Sequence, residues 1–393
     1  MVSRSRTRVA RGRERVIGRG AAVAALALAV AVIGHSPGAE QPAAAQGRAR
    51  PIMPPPAAAP VAPPAVMAAQ ARLAARLDEL GNGFNGDVGI AVKDLQTGWT
   101  TDFDGASRFP QQSVSKFWVT LTLLDKVDRG LLSLYEPVTV RRSDLTLFNQ
   151  PIAALIKGNG YTTTHADLIA RAMQQSDNTA NDFNLRRAGG PEAVRAFLEK
   201  KRITGVRFGP GERLMQSATA GLEWQQSYSI GNGFYAARSA LPMATRRAAL
   251  DRYLADPVDG ATPLGIVDAL GKLKDGELLS AASTQRLLAL MSTTRTGPQR
   301  LKGGLAPGWK LAHKTGTGQV LGGVGTGYND IGIVTAPDGR SYSVAVLIRK
   351  TAAPIQQRMQ LMQKTTRAVI DYVDQMGSER YAAGKGGRER GSR

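Results

Sequence analysis

The sequence predicts an α/β (α+β) sandwich: a five-stranded antiparallel sheet flanked by helices, joined to a mostly helical lobe. Three observations carry that expectation. Strand-like runs occur near both ends, at 86–93 and 99–103 and again at 309–314, 327–334 and 341–348. The long stretch between them carries helical patterns. An amphipathic run from Ile355 to Met376 supplies a closing helix to cover the sheet. A sheet assembled this way joins strands that lie far apart in sequence.

Each segment has its own signals. Residues 1–45 read as a secretory signal peptide: seven arginines up to Arg19, a thirteen-residue apolar run from Ala21 to Ile33, and small residues at Ala43-Ala44-Ala45. The apolar run is short for a membrane span, and an uncleaved anchor is the other reading. Residues 46–65 form a Pro/Ala-rich linker, and the folded part should begin near Val66. Helical spacing from Ala68 to Leu80 ends at Gly81. The first two strands are separated by a turn containing Asp94, Thr97 and Gly98. A single folded domain is expected over 66–377, with the sheet drawn from 66–108 and 305–377 and the helical lobe from 109–304. Residues 378–393 are polar and basic and read as a disordered tail.

Composition narrows the function. Hydrophobic residues make up 42% of 393, enough for a substantial core. There are no cysteines, hence no disulfide, thiolate zinc site or lipid-anchored cysteine. Three histidines (His35, His165 and His313) do not make a histidine-rich metal site. Of the net charge of +20, residues 1–45 carry +5 and residues 378–393 carry +3. The remainder is spread without a dense basic run or aromatic–basic alternation, so a nucleic-acid partner is not expected.

Three short stretches carry chemistry. In Ser113-Val-Ser-Lys116, Pro110 and the apolar run from Phe117 to Leu124 place Ser113 in the first turn of a buried helix. A hydroxyl is a poor nucleophile and needs a proton acceptor. Lys116, three residues on, shares its helical face, and burial lowers a lysine's basicity. Ser176-Asp177-Asn178 follows a helical segment from Ala166 to Gln175. It suits a proton shuttle (Ser176), a turn-former (Asp177) and an amide partner for substrate (Asn178). Lys314-Thr315-Gly316-Thr317 sits on a predicted strand. There Lys314 offers positive charge to a substrate carboxylate and to proton relay, and Gly316 permits close backbone approach. The Ser113 and Thr317 amides suit an oxyanion hole. Each stretch alone is also compatible with an ordinary cap, turn or strand end.

Together these residues resemble class A β-lactamases within the penicillin-binding serine hydrolases. Phe109-Pro-Gln-Gln-Ser-Val-Ser-Lys116 is similar to that family's nucleophile segment. Ser176-Asp-Asn-Thr-Ala180 with Gly189-Gly-Pro191 is similar to its serine–asparagine stretch. Gly260-Ala-Thr-Pro263, Thr296-Gly297, Gly308-Trp309, His313-Lys-Thr-Gly-Thr-Gly318 and Asn329-Asp330-Ile331 continue in the family's order. The resemblance runs from about Leu73 to Met376. It implies the β-lactamase/transpeptidase-like fold, acylation of Ser113 by a β-lactam, and hydrolysis of the acyl-enzyme without a metal or organic cofactor.

The resemblance also implies a glutamate that activates the deacylating water. Glu212, in Gly209-Pro-Gly-Glu-Arg-Leu-Met-Gln216, falls where it is expected, with an amide four residues on at Gln216. The family's usual arginine position holds Pro210, which puts the customary loop salt bridge in question. Glu223 is the competing candidate. Phe148 resembles the aromatic gatekeeper beside the site, and Arg300 an arginine supporting the substrate carboxylate. The stretch 217–258 is longer than the family usually has; it reads either as packed helix or as an extended wall of the active site. The reading is a periplasmic or secreted, monomeric serine β-lactamase acting on a small-molecule β-lactam, touching membrane only through its leader. A D,D-peptidase or slowly deacylating penicillin-binding protein, and a non-catalytic cell-envelope-binding protein, remain open at this point.

Overall fold

Val88, Ile90 and Val92 project from one face of the strand Asp87–Asp94, while Gly89 and Ala91 pack on the other. The strand is buried on both faces, so its pattern is a continuous apolar run rather than an alternation. In the computed structural model, which describes residues 63–389 (beyond Met376 as helical backbone only), this strand sits inside an antiparallel sheet. The order is Thr100–Phe103, Asp87–Asp94, Ser341–Thr351, Val324–Thr335, Lys310–Gly316. These are the five expected strands. A two-residue piece, Val320–Leu321, pairs with Val324–Thr335 as a sixth.

One sheet face is covered by the first and last helices. Pro64–Asn82 turns Ala69, Leu73, Leu77 and Leu80 inward, a helical stripe, against Val369, Tyr372 and Val373 of the last helix and the Val344–Val346–Ile348 side of the sheet. The last helix, expected to end at Met376, runs from Ile355 to Glu389. The tail from Ser378 therefore carries helical backbone that its basic, polar composition did not suggest; Glu, Arg and Ala there are adequate helix formers. The expected leader (1–45) and most of the linker lie outside the described residues.

The other face meets the helical lobe. Its central helix, Lys116–Asp128, is buried on every side from Lys116 to Asp125, with Phe117, Trp118, Leu121, Leu123 and Leu124 fully buried. Pro263–Lys274 bridges this lobe to the sheet through Ile266, Val267 and Leu270, and Ser343 Oγ donates to Val267 O. The stretch 217–258 forms two helices, Gly233–Ala240 and Met243–Ala255, after a short 3-10 turn, Gln226–Ser229.

One local expectation is corrected. Pro110 does not open the nucleophile helix. It lies in a two-residue strand, Phe109–Pro110, that pairs with Gly260–Ala261. Ser113 sits in a 3-10 turn, Gln112–Ser115, and the α-helix begins at Lys116. The reason is backbone conformation: Gln112 has φ +54°, outside the α region, so no regular helix extends back through it.

Candidate active site

Three non-glycine residues around one cleft hold left-handed backbone: Gln112 (φ +54°), Phe148 (φ +60°) and Ser176 (φ +59°). Such conformations cost energy and persist only where surroundings enforce them. Gln112 is fixed by its neighbours. Its amide donates to Asp259 Oδ2 at 2.7 Å, its Nε2 to Tyr253 Oη at 2.6 Å, and its Oε1 accepts from Gln216 Nε2 at 2.8 Å. Tyr253 Oη in turn donates to Asp259 Oδ1 at 2.9 Å. Burial pushes the Asp259 carboxyl up to about 6, against the opposing effect of these hydrogen bonds. Burial, with the adjacent Asp259 charge, also raises the Tyr253 hydroxyl well above its usual range.

The turn so held presents Ser113, half-buried, to Lys116. Lys116 Nζ lies 2.8 Å from Ser113 Oγ and also contacts the Glu212 carboxylate. Lys116 is fully buried and Glu212 is 2% exposed. Glu212 opens the helix Glu212–Thr219, whose N-terminus has no cap of its own because Gly211 precedes it. Asp182 serves instead: Oδ1 accepts from Glu212 N at 3.1 Å and Oδ2 from Arg213 N at 3.3 Å. Burial, then the neighbouring Glu212 charge, raises Asp182 above the ordinary aspartate value. Pro210 stands where a loop arginine was expected; here Asp182 ties the start of the segment to the helix Asn178–Arg187, and Asp259 ties its far end to the nucleophile turn. Gln216 Nε2 reaches the other Glu212 oxygen at 3.3 Å. Glu223 is exposed in a loop away from Ser113 and Lys116.

Across the cleft, Lys314 Nζ donates to Ser176 Oγ at 2.9 Å. Lys314 is fully buried; desolvation, followed by the charge of Lys116, holds it well below the usual lysine range. Asp177 caps the helix Asn178–Arg187 by accepting from Ala180 N at 2.9 Å and accepts from Ile152 N at 2.7 Å, as its turn-forming role required. Asn178 donates from Nδ2 to Leu147 O at 2.8 Å, and its Oδ1 is a buried acceptor without a partner among the described residues. Thr315 Oγ1 is 2.6 Å from Thr296 Oγ1.

Two expected residues behave differently from their sequence reading. Gly316 faces backbone, not open cleft: a Cβ there would fall inside contact distance of the Gln111 carbonyl oxygen. The glycine lets the strand close onto the nucleophile turn. Arg300, read from the resemblance as a support for the substrate carboxylate with a surface arginine as the alternative, is 7% exposed. It donates to Gly316 O at 2.9 Å, to Asn329 O at 2.6 Å and to Thr317 Oγ1 at 2.6 Å, and stacks 3.8 Å above the Tyr328 ring. Asp259, Tyr253 and Asp182 were not singled out from sequence. Asp259 directly precedes the Gly260-Ala-Thr-Pro263 stretch, yet a lone aspartate before a glycine reads as a turn.

Ser113, Ser176, Asn178, Thr315, Thr317 and Arg300 all line one cleft of about 630 Å³, as do Phe148 and Tyr235. Fold and site together define a serine hydrolase with a lysine-linked nucleophile. The chain belongs to the β-lactamase enzyme family, whose model matches residues 72–373. It is 29% identical over 298 residues to the extended-spectrum β-lactamase PER-1 of Pseudomonas aeruginosa, covering 75% of this chain and 82% of that protein. It is 27% identical over 268 residues to β-lactamase VEB-1 of the same organism, covering 68% of this chain and 79% of that protein. The crystal structure of a β-lactamase from Chitinophaga pinensis superposes with a TM-score of 0.64 at 27% identity, covering 77% of this chain and 99% of that one.

Proposed function

We propose that this protein is a class A-type serine β-lactamase. One observation carries the reading: Lys116 Nζ contacts both Ser113 Oγ and the Glu212 carboxylate, linking the acylating hydroxyl to the group suited to deacylation. Ser113 Oγ attacks the lactam carbonyl, and its proton passes to the Lys116–Glu212 pair. The C–N bond breaks, and the nitrogen takes the Ser176 hydroxyl proton, which Lys314 replaces; the proton held by the Lys116–Glu212 pair then restores Lys314, leaving Glu212 ionised. Lys314 suits this relay because its depressed basicity makes proton release cheap. Glu212 then removes a proton from water. The water oxygen attacks the ester carbonyl, Ser113 Oγ leaves with a proton, and the opened product departs. The amides of Ser113 and Thr317 stabilise the oxyanion in both halves. Arg300 and Thr315 frame the substrate carboxylate, and Asn178 pairs with its side-chain amide.

Export to the periplasm or medium is part of the proposal and rests on the leader-like sequence at 1–45. Intact-protein mass spectrometry during incubation with benzylpenicillin tests the function. A transient adduct on Ser113 with accumulating hydrolysed product is expected. A persistent adduct with negligible product would make the protein a slowly deacylating penicillin binder instead.

A further inference from the structure

The arm between Glu212 and Asp259 adds one arginine, Arg238, to the lining of the cleft and holds a second, Arg246, beside it. Phe234 anchors the helix Gly233–Ala240: it is 1% exposed, packs with Leu147 and Ala220, and stands edge-on to Phe148 at 5.0 Å. That anchoring turns the neighbouring Tyr235 and Arg238, three positions apart on one helical face, toward the cleft, which both line. The Arg238 guanidinium lies 5.6 Å from the Phe234 centroid and 5.5 Å from that of Tyr235. Its Nη1 donates to Gln319 Oε1 at 3.1 Å, and its Nε is buried without a partner among the described residues. Arg246, from the helix Met243–Ala255, borders the same corner with Gln319 and Val320, and its Nε is likewise unpartnered. Neither arginine pairs with a carboxylate among the described residues. Desolvation, then the charge of Arg246, lowers the basicity of Arg238. Leaving such groups unneutralised is costly, and an anionic ligand relieves the cost.

We propose that Arg238, with Arg246 behind it and Tyr235 beside it, forms a subsite for a carboxylate borne on the acyl side chain of the substrate. The proposal rests on the β-lactam reading of the site. It adds a second anion-recognising group to the cleft that Arg300 also lines, Arg300 serving the carboxylate common to the substrate class. The aromatic faces of Tyr235 and Phe148 suit an aryl group adjoining that carboxylate. Arg238 also connects inward: Gln319 Nε2 donates to Gln216 O at 2.8 Å, and Gln216 reaches Glu212.

Two penicillins differing only in the side chain test this: benzylpenicillin and its α-carboxylated counterpart. The readout is the ratio of their kcat/KM values, carboxylated over neutral. Loss of one charge-assisted contact should lower this ratio about tenfold in Arg238→Gln, and Arg238→Lys should restore most of it. A ratio unchanged in Arg238→Gln, with both substrates affected alike, overturns the subsite and leaves Arg238 a packing residue. If the wild-type chain hydrolyses neither penicillin, the lactamase reading falls. The subsite is then judged by calorimetric titration of Ser113→Ala with both compounds. Tighter binding of the carboxylated one, lost on adding Arg238→Gln, supports it; equal affinity or no binding rejects it.

Discussion

Lys116 and Glu212 form an ion pair from which water is excluded, with the lysine fully buried and the glutamate 2% exposed. A buried pair of this kind survives only with good geometry and further hydrogen bonds. Ser113 and Gln216 supply them. The pair links the two halves of the proposed reaction, because its lysine contacts the nucleophile Ser113 and its carboxylate is the group proposed to act on water.

Replacing Glu212 by Gln should therefore separate those halves. The acyl-enzyme should still form, and its hydrolysis should slow by about 10²–10⁴. Mass spectrometry would then record a lasting adduct on the variant and a fleeting one on the wild type. Glu223→Gln should behave as wild type; a stalled adduct in that variant instead would reassign the deacylating base.

Asp259 should give stability a distinctive pH dependence. The folded protein keeps a proton on this carboxyl up to about pH 6, whereas its ordinary value is 3.8. Across that window the unfolded chain binds fewer protons, so the stability linked to Asp259 falls as pH rises and levels off above about 6, a change on the order of 3 kcal/mol. Urea unfolding of wild type and Asp259→Asn from pH 4 to 7 isolates the effect. The wild type's advantage should shrink with rising pH; a constant difference would show that the carboxyl does not titrate there.

Gly316→Ala should cost activity more than its small size suggests. The added methyl collides with the Gln111 carbonyl, forcing the Lys310–Gly316 strand away from the turn that carries Ser113. Misplacing oxyanion donors by even a fraction of an ångström is expensive, and a fall of about 10²-fold in kcat is expected. Wild-type turnover of nitrocefin by this variant would contradict the packing role assigned to the glycine.

Arg300→Ala should raise KM for carboxylate-bearing substrates by about tenfold or more. It should also lower stability by roughly 1–3 kcal/mol, because the carbonyls of Gly316 and Asn329 lose a buried donor. An unchanged KM with lowered melting temperature would restrict Arg300 to a structural role.

The residues whose meaning is local were legible in the chain itself. Ser113 and Lys116 are one helical turn apart, Asp177 caps the helix it begins, and the five strands appear as short runs set between turn residues. What the chain could not state is which distant group each of these meets. Lys314 reaches Ser176 across 138 positions, and Gln112 is held by Asp259 across 147. Glu212 and Glu223 carry the same side chain eleven positions apart, and only packing buries one against Lys116 and leaves the other in solvent. Composition and periodicity report torsional preference and amphipathicity, which act over a few residues. Burial, pairing and the enforced left-handed backbone of Gln112, Phe148 and Ser176 arise when remote segments close on one another, so the three-dimensional structure alone decided them.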